Sequence, residues 1–359
     1  MFQKKALVLA ALMASAAVAQ AQVKVYGSID MSVGSFKDFV FEEGEGGLEI
    51  TKGKATTKVQ SGNMMTSFIG FAGSEDLGGG LKAEFVLESF LNGDTGTNGP
   101  NLAGGFWGRG SYVALSGGFG KVALGQYDNA FFIMGLSYNP FGSSMMFSPT
   151  MVSYYSGGPL STLGYDTGWV NSITYETPVM AGFQATLQFA PKEVTTTGDA
   201  VKDHYSVAAS YNAGPLSLMG VYTSSGDTSD GDDDVLLTTD AYFARQKNVG
   251  FGVSYDLGVA KLMGQYSKVK TDEGATDFVA KYFQIGASVP VSAAGSVLVS
   301  YGQTKYEDAG ADAGKLKQYS IGYDHFISKR TDVYAAYTSK KVDSVGSVGS
   351  FAVGIKHAF

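Results

Sequence analysis

Short runs in which apolar residues alternate with small or polar ones recur along almost the whole chain. A period of two fits a strand and excludes an amphipathic helix. Tyr205, Val207, Ala209 and Tyr211 alternate with Ser206, Ala208 and Ser210. Val249, Phe251, Val253 and Tyr255 alternate with Gly250, Gly252 and Ser254. Sixteen such segments follow one another, joined in turn by tight turns and by longer polar loops. An even count with short/long alternation predicts an all-β fold, a transmembrane 16-stranded antiparallel β-barrel. In lipid every backbone N–H and C=O must find an internal partner, and strands achieve this only by closing on themselves. No 18 consecutive apolar residues occur, so no transmembrane helix is expected.

The first residues fit export. Lys4 and Lys5 precede a short apolar run and the small residues Ala17, Ala19 and Ala21. Residues 1–21 read as a signal peptide and 22–359 as the barrel. Loss of Lys4 and Lys5 takes the formal charge from −7 to −9. An acidic exported chain is a poor partner for nucleic acid. With no Cys, disulfides, thiolate metal sites and thiol nucleophiles are excluded. No metal or cofactor is expected.

Parity assigns the two faces of each strand. Lys24, Tyr26, Ser28 and Asp30 oppose Val23, Val25 and Ile29. Lys82, Glu84 and Glu88 oppose Leu81, Ala83, Phe85 and Leu87, and Glu176 follows the same rule. The expected lumen charges are therefore Lys24, Asp30, Lys82, Glu84, Glu88 and Glu176. Residues 36–63 read as an exposed loop, and the second strand as residues 65–75. In the fourth segment, residues 106–116, Gly110, Tyr112 and Ala114 are taken as the outer face, which sends Arg109 to the lumen. A lipid-facing Arg there would cost about 2–4 kcal/mol.

One stretch breaks the pattern. Residues 128–165 carry one charge, Asp128, at their start, and are rich in Phe, Met and Tyr. They hold neither helical nor strand periodicity for long. A long apolar loop inside a regular β chain needs a function. It is expected to fold into the barrel and narrow it, with Phe131, Phe132, Phe141, Met145 and Met146 at the constriction.

Several motifs carry a family resemblance. They are Ser74-Glu75-Asp76-Leu77-Gly78-Gly79-Gly80-Leu81-Lys82-Ala83, Leu115-Ser116-Gly117-Gly118-Phe119-Gly120-Lys121-Val122-Ala123-Leu124-Gly125, Asn171-Ser172-Ile173-Thr174-Tyr175 and the last strand ending in Phe359. In this order the chain resembles the trimeric general porins of Gram-negative outer membranes, over essentially all of residues 22–359. The resemblance implies an inward-folded third loop, a homotrimer in outer-membrane lipid with lipopolysaccharide, and passive diffusion of small hydrophilic solutes and ions. Phe359 resembles the signature read by the barrel-assembly machinery. Asn139-Pro140-Phe141-Gly142 resembles the loop's tip without its acid.

The resemblance also marks departures. Arg109 matches a family wall arginine, but Phe68, Ala72, Gln126, Thr174 and Ser28 stand where relatives often carry bases. On the loop side only Asp128 survives as an acid, and Arg109, Phe68 and Thr174 are the wall candidates for the constriction. A size-sieving, aromatic- and Met-lined eyelet with a mild cation preference is expected. Competing readings are a structural or adhesin barrel and an outer-membrane hydrolase built on His204 with Ser206 or Ser210. The acidic run Asp227, Asp230, Asp232, Asp233, Asp234 and Asp240 lacks the spacing of a calcium loop and reads as solvated.

Overall fold

The computed structural model describes residues 23–44, 47–99, 105–155, 162–163, 167–192, 203–226, 245–272 and 277–359. The expected signal peptide and the acidic run from Asp227 to Asp240 lie outside these residues.

Among the described residues, sixteen antiparallel strands close into a barrel. They are β1 (Lys24–Phe36), β2 (Phe68–Gly78), β3 (Leu81–Asn92), β4 (Gly110–Gly117), β5 (Gly120–Asp128), β6 (Gly168–Glu176), β7 (Phe183–Ala190) and β8 (His204–Ala213). Then come β9 (Leu216–Ser225), β10 (Gln246–Asp256), β11 (Lys261–Asp272), β12 (Asp277–Pro290), β13 (Gly295–Asp308), β14 (Ala311–Phe326), β15 (Thr331–Val342) and β16 (Gly346–Ala358). Neighbours in sequence pair around the ring, and β1 pairs β16 from Ser28↔Ala358 to Ser35↔Phe351. Gly27 and Phe359 exchange backbone hydrogen bonds of 3.3 and 3.1 Å and finish that seam.

The two faces differ as a water-filled lumen within lipid requires. Val25, Ile29, Val33, Leu187, Val207, Phe251, Ile285 and Val353 are exposed on the outside. Ser28, Ser206, Asn248, Ser254, Gln284 and Ser320 are buried on the inside.

Three expectations need correction. Residues 36–63 are not a plain loop. They hold a hairpin, Phe39–Gly44 with Gly47–Lys52, and a strand, Thr56–Ser61, that pairs the upper half of β1. The lower half of β1 pairs β2. The second stave is thus broken at residues 62–67, where the chain turns into the lumen. That turn draws Met64 away from the lipid side, so β2 starts at Phe68 rather than at residue 65.

The parity assumed for the fourth strand is reversed. Tyr112 stands opposite Val86, and Ala114 opposite Glu84, both on the lumen face of β3. Val113 and Leu115 are the exposed, outward residues. The polar residues Ser111 and Ser116 fall on opposite faces, so this strand has no polarity contrast to read. Arg109 reaches the lumen by another route. It lies in the turn before β4, where its N–H donates to the Glu88 carbonyl.

Third, residues 128–155 contain two helices, α1 (Ala130–Ser137) and α2 (Pro149–Tyr155). Asn129 caps α1 by accepting from the Phe132 N–H at 2.8 Å. Ser148 accepts from the Met151 N–H at 3.2 Å, and Pro149 sits at the first helical position, where its missing N–H costs nothing. Most residues of both helices are buried, so neither needs a polar stripe. Their period was therefore hidden.

Replacing outward-facing Ile285 with Arg is expected to lower stability in vesicles by about 2–4 kcal/mol. The lumen change Ser210→Arg is expected to cost under about 0.5 kcal/mol. Urea titration of refolded protein measures both, and equal costs would contradict the two-face assignment.

Candidate functional site

The loop seats on a wall shaped to receive it. Helix α1 packs on β8, β9 and β10, and α2 on β12, β13 and β14. The wall beneath carries glycines. A Cβ at Gly250 would stand 2.5 Å from Met134, one at Gly286 2.6 Å from Pro140, and one at Gly302 2.6 Å from Pro149. At Gly252 it would overlap the Tyr138 ring, and at Gly322 it would meet Phe141 at 3.1 Å. At Gly252, Gly286 and Gly302 only glycine permits so close an approach, because the Tyr138 and proline rings cannot swing clear.

Polar side chains complete the seat. Thr150 Oγ1 donates to Gln284 Oε1 at 2.6 Å and lies 2.9 Å from the Tyr282 hydroxyl. Tyr154 donates to Ser267 at 2.7 Å, and Ser153 pairs Thr304 at 2.8 Å. Gln318 Nε2 donates to the Met146 carbonyl at 3.0 Å. Phe131, Met134, Phe147, Met151 and Tyr154 are fully buried. At roughly 1.5–3 kcal/mol each, their burial dominates docking.

The tip is tied to the broken stave. Asn139 organises the turn: Phe141 N–H donates to its Oδ1, and its Nδ2 donates to the Gly135 and Gly142 carbonyls. Ser144 Oγ donates to the Asn63 carbonyl at 2.6 Å. Asn63 in turn donates to Ser32. Asp30 fixes the inward segment. Its carboxylate accepts from the N–H groups of Met64 and Met65 at 2.6 and 2.9 Å and from the Tyr334 hydroxyl at 2.7 Å. Met64, Phe141 and Phe147 share one apolar cluster with Phe36, Leu298 and Tyr334.

These contacts redistribute the expected constriction residues. Phe131, Phe132 and Phe141 are buried and hold the loop to its surroundings instead of facing the channel. Met145 and Met146 remain half-buried, and Ile133 is exposed. Thr174 is on the lumen side by its pairing with Ala123 but is buried, and its hydroxyl finds no partner. Phe68 lies under the Arg109 guanidinium, 4.2 Å from ring centroid to Cζ. Asp128 ends β5 at the root of the loop. Gln126 donates to the Gly108 carbonyl and so steadies the turn that carries Arg109.

The expected lumen charges fall into three groups. Lys24 and Lys82 are exposed near the short-turn rim. Asp30 is sealed by its hydrogen bonds and contributes no open carboxylate. Glu84, Glu88 and Glu176 lie on the wall with partners. Glu88 pairs Arg109 at 3.0 Å and accepts from Tyr26. Glu84 pairs Lys121 at 3.3 Å and accepts from Ser116. Glu176 accepts from Tyr127 at 2.8 Å. Lys121, Asp324, Asp332 and Lys356 are further lumen charges that the sequence reading did not name, and Asp332 pairs Lys356 at 2.9 Å. Parity would have found Lys356, because Ile355 and His357 flank it on the outer face.

No catalytic pairing emerges from the hydrolase candidates. His204 accepts the Gly226 N–H at 2.7 Å, and its ring lies tilted against Trp169 at 5.3 Å. Ser206 lies on the same lumen side, not toward lipid.

A closed sixteen-strand barrel with an apolar exterior and a loop folded into a polar lumen defines a diffusion channel of the outer membrane. Residues 6–344 match the family model described as "Gram-negative porin", and the chain belongs to that family, whose members are channels and not enzymes. "Outer membrane porin protein 32" of Delftia acidovorans is 32% identical over 98% of this chain and 93% of its own length. An outer membrane porin protein of Bordetella pertussis is 27% identical, over 99% of this chain and 100% of its own. Among solved structures, the "Anion-selective porin from Comamonas acidovorans" superposes with a TM-score of 0.74 at 29% identity, over 95% of this chain and 100% of that one.

Gly252→Val removes the space for Tyr138 and is expected to unseat α1, raising single-channel conductance. Unchanged conductance would mean that the loop is held elsewhere. Asp30→Asn can keep one oxygen for the Met64 and Met65 N–H groups but turns its NH2 on the Tyr334 hydroxyl, which donates to Oδ1 in the wild type, and is expected to cost about 1–3 kcal/mol. Noisier open-channel current should accompany that loss.

Proposed function

We propose that this channel sieves small hydrophilic solutes mainly by size and apolar contact, with a weak transverse field and a mild preference for cations. The observation that carries this reading is charge pairing. Each base on the mid-wall has an acid beside it, Arg109 with Glu88, Lys121 with Glu84 and Lys356 with Asp332. Asp324 and Glu176 are carboxylates beyond these pairs, while Asp30 is sealed away from the channel. The facing loop has no charged residue between Asp128 and Asp166. Paired charges present dipoles rather than a net field, so ion bias stays small.

The preference is mild also because the outer vestibule counters it. Lys37 and Lys58, against the single carboxylate of Asp38, line a cavity of about 240 Å³ there with Phe36, Gln60 and Met146. The pore-facing apolar surface is then Ile133, Leu136, Met145, Met146 and Tyr155. Met adapts to varied apolar solutes.

Assembly follows the family. One structural neighbour, OmpT of Vibrio cholerae, is described in a "trimer form". A homotrimer embedded in outer-membrane lipid is the proposed state here. Residues 1–21 serve as the export leader. Phe359, with Phe351, Val353 and Ile355 on the outer face of β16, is the proposed handle for the barrel-assembly machinery.

Reversal potentials in a potassium chloride gradient test the ion preference. A small potential of cationic sign is expected, and Arg109→Gln should enlarge it. A clear anion preference would place the channel with its Comamonas relative and end this reading. In liposome swelling, amphipathic solutes should enter faster than purely hydrophilic ones of equal size. Equal rates would remove the role given to Met145 and Met146.

A further inference from the structure

Cross-strand partners share a face of the sheet, so the registers reveal a row that no single strand shows. Lys268 on β11 stands opposite Lys281 on β12, Lys281 opposite Lys305 on β13, and Lys305 opposite Lys315 on β14. Lys268 also stands opposite Val249. Val249 is exposed on the outer surface, so the row points outward.

The row sits near the rim that carries the barrel's longer connections elsewhere, although β11 and β12 are joined there by four residues and β13 and β14 by Ala309 and Gly310. Tyr266 and Phe283 lie two residues nearer the barrel's middle than Lys268 and Lys281, on the same outer face. At about 3.3 Å per residue, the ammonium row begins about 7 Å beyond the aromatic belt. Aromatic belts mark the membrane–water interface, so the lysines stand at the level of lipid headgroups.

Four like charges opposite one another repel. Glu307 answers two of them, at 2.8 Å from Lys281 and 2.9 Å from Lys305. Asp312 is 4.0 Å from Lys305. Among the described residues, no carboxylate lies within 4.0 Å of Lys268 or Lys315. The arrangement is also one-sided. Among the described residues, the outward faces of β1–β9 and β16 carry no Lys or Arg, because Lys24, Lys82, Lys121 and Lys356 face the lumen. A chain of net charge −7 thus places a cationic band on one arc of its exterior.

We propose that this row binds the phosphate groups of outer-leaflet lipopolysaccharide. Each ammonium offers three donors to phosphate oxygens. The row crosses three inter-strand steps, about 14 Å, which accommodates two phosphates of one headgroup. Bound phosphate relieves the repulsion that Glu307 only partly offsets. The uncharged arc from β16 through β5 is left for contact with neighbouring copies.

The test uses the oligomer purified from outer membranes in mild detergent. Native mass spectrometry counts retained glycolipid for wild type and for Lys268→Gln/Lys281→Gln/Lys305→Gln/Lys315→Gln. The variant is expected to retain at least about tenfold less. A parallel set with all four lysines changed to Arg should retain wild-type amounts, as should Lys24→Gln/Lys82→Gln in the lumen. Delipidated protein is then mixed with phosphatidylcholine vesicles containing either bisphosphorylated lipid A or phosphatidylglycerol. Preferential, row-dependent binding of lipid A is expected. Equal glycolipid on wild type and the Gln variant would overturn the proposal, and so would equal binding of the two anionic lipids. Loss of the oligomer with glycolipid retained would also overturn it, by making the row a subunit contact. Single-channel conductance of the Gln variant should match wild type, which shows that it folds.

Discussion

Backbone pairing in a medium without water is the constraint on which the rest depends. A strand edge facing lipid leaves unpaired N–H and C=O groups at several kcal/mol each. The seam between β1 and β16 removes the last edge, and Gly27 and Phe359 finish it. Once the ring is closed, every stave has one wet and one oily side. That division accounts for the alternation and for the small polar interior. It also allows the one irregular stave. The chain can break at residues 62–67 because the freed groups turn inward, where Asp30 and Ser67 supply partners.

The third loop relies on the same wet lumen. Apolar side chains gain little by leaving lipid for protein, but they gain much by leaving water. Phe131, Phe147, Met134 and Tyr154 therefore drive docking inside the barrel although the barrel sits in a membrane. The wall answers with glycines at Gly250, Gly252, Gly286 and Gly302, which let loop side chains approach the sheet. Charged tethers are unnecessary when the fit is of this kind. This explains how the loop holds its place with neither acid nor base between Asp128 and Asp166.

Much of this was legible in the sequence, and the failures have physical causes. Period two marked most strands because one side of each is oily and the other is small or polar. The fourth strand failed because Tyr112 and Ala114 inside are as apolar as Val113 and Leu115 outside. Its error left Arg109 in the lumen for the wrong reason. The helices failed because burial erases the stripe that identifies a helix. The fate of Phe131, Phe132 and Phe141 could not be read at all. An aromatic that packs to a wall and one that lines a pore are identical as letters, and only the neighbours brought up by the fold decide between them, Tyr154 for Phe131, Tyr155 for Phe132 and Gly322 for Phe141. Lys121 and Asp332 escaped because their partners, Glu84 and Lys356, lie on other strands.

The distribution of charge around the ring follows from where water can reach. On β9 to β13 the lumen face beneath the loop is neutral between its rims, with Gln265, Ser267, Gln284 and Thr304 meeting the loop's hydroxyls and amides. A charge there would be stripped of water by the docked helices, at a cost that a neutral hydrogen bond avoids. The described residues of the two helices pack chiefly on β8 to β14, and on β3 to β6 Glu84, Glu88, Arg109, Lys121 and Glu176 stay near water with partners. Outside the barrel the order inverts. Outward lysines cluster on β11 to β14, of which β11 to β13 are neutral within, and among the described residues none lies on the outward faces of β2 to β6. The loop thus does more than narrow the channel. By covering one wall it dictates which strands can hold ions inside, and the lysines of the covered strands must find their solvent or counter-ion on the exterior.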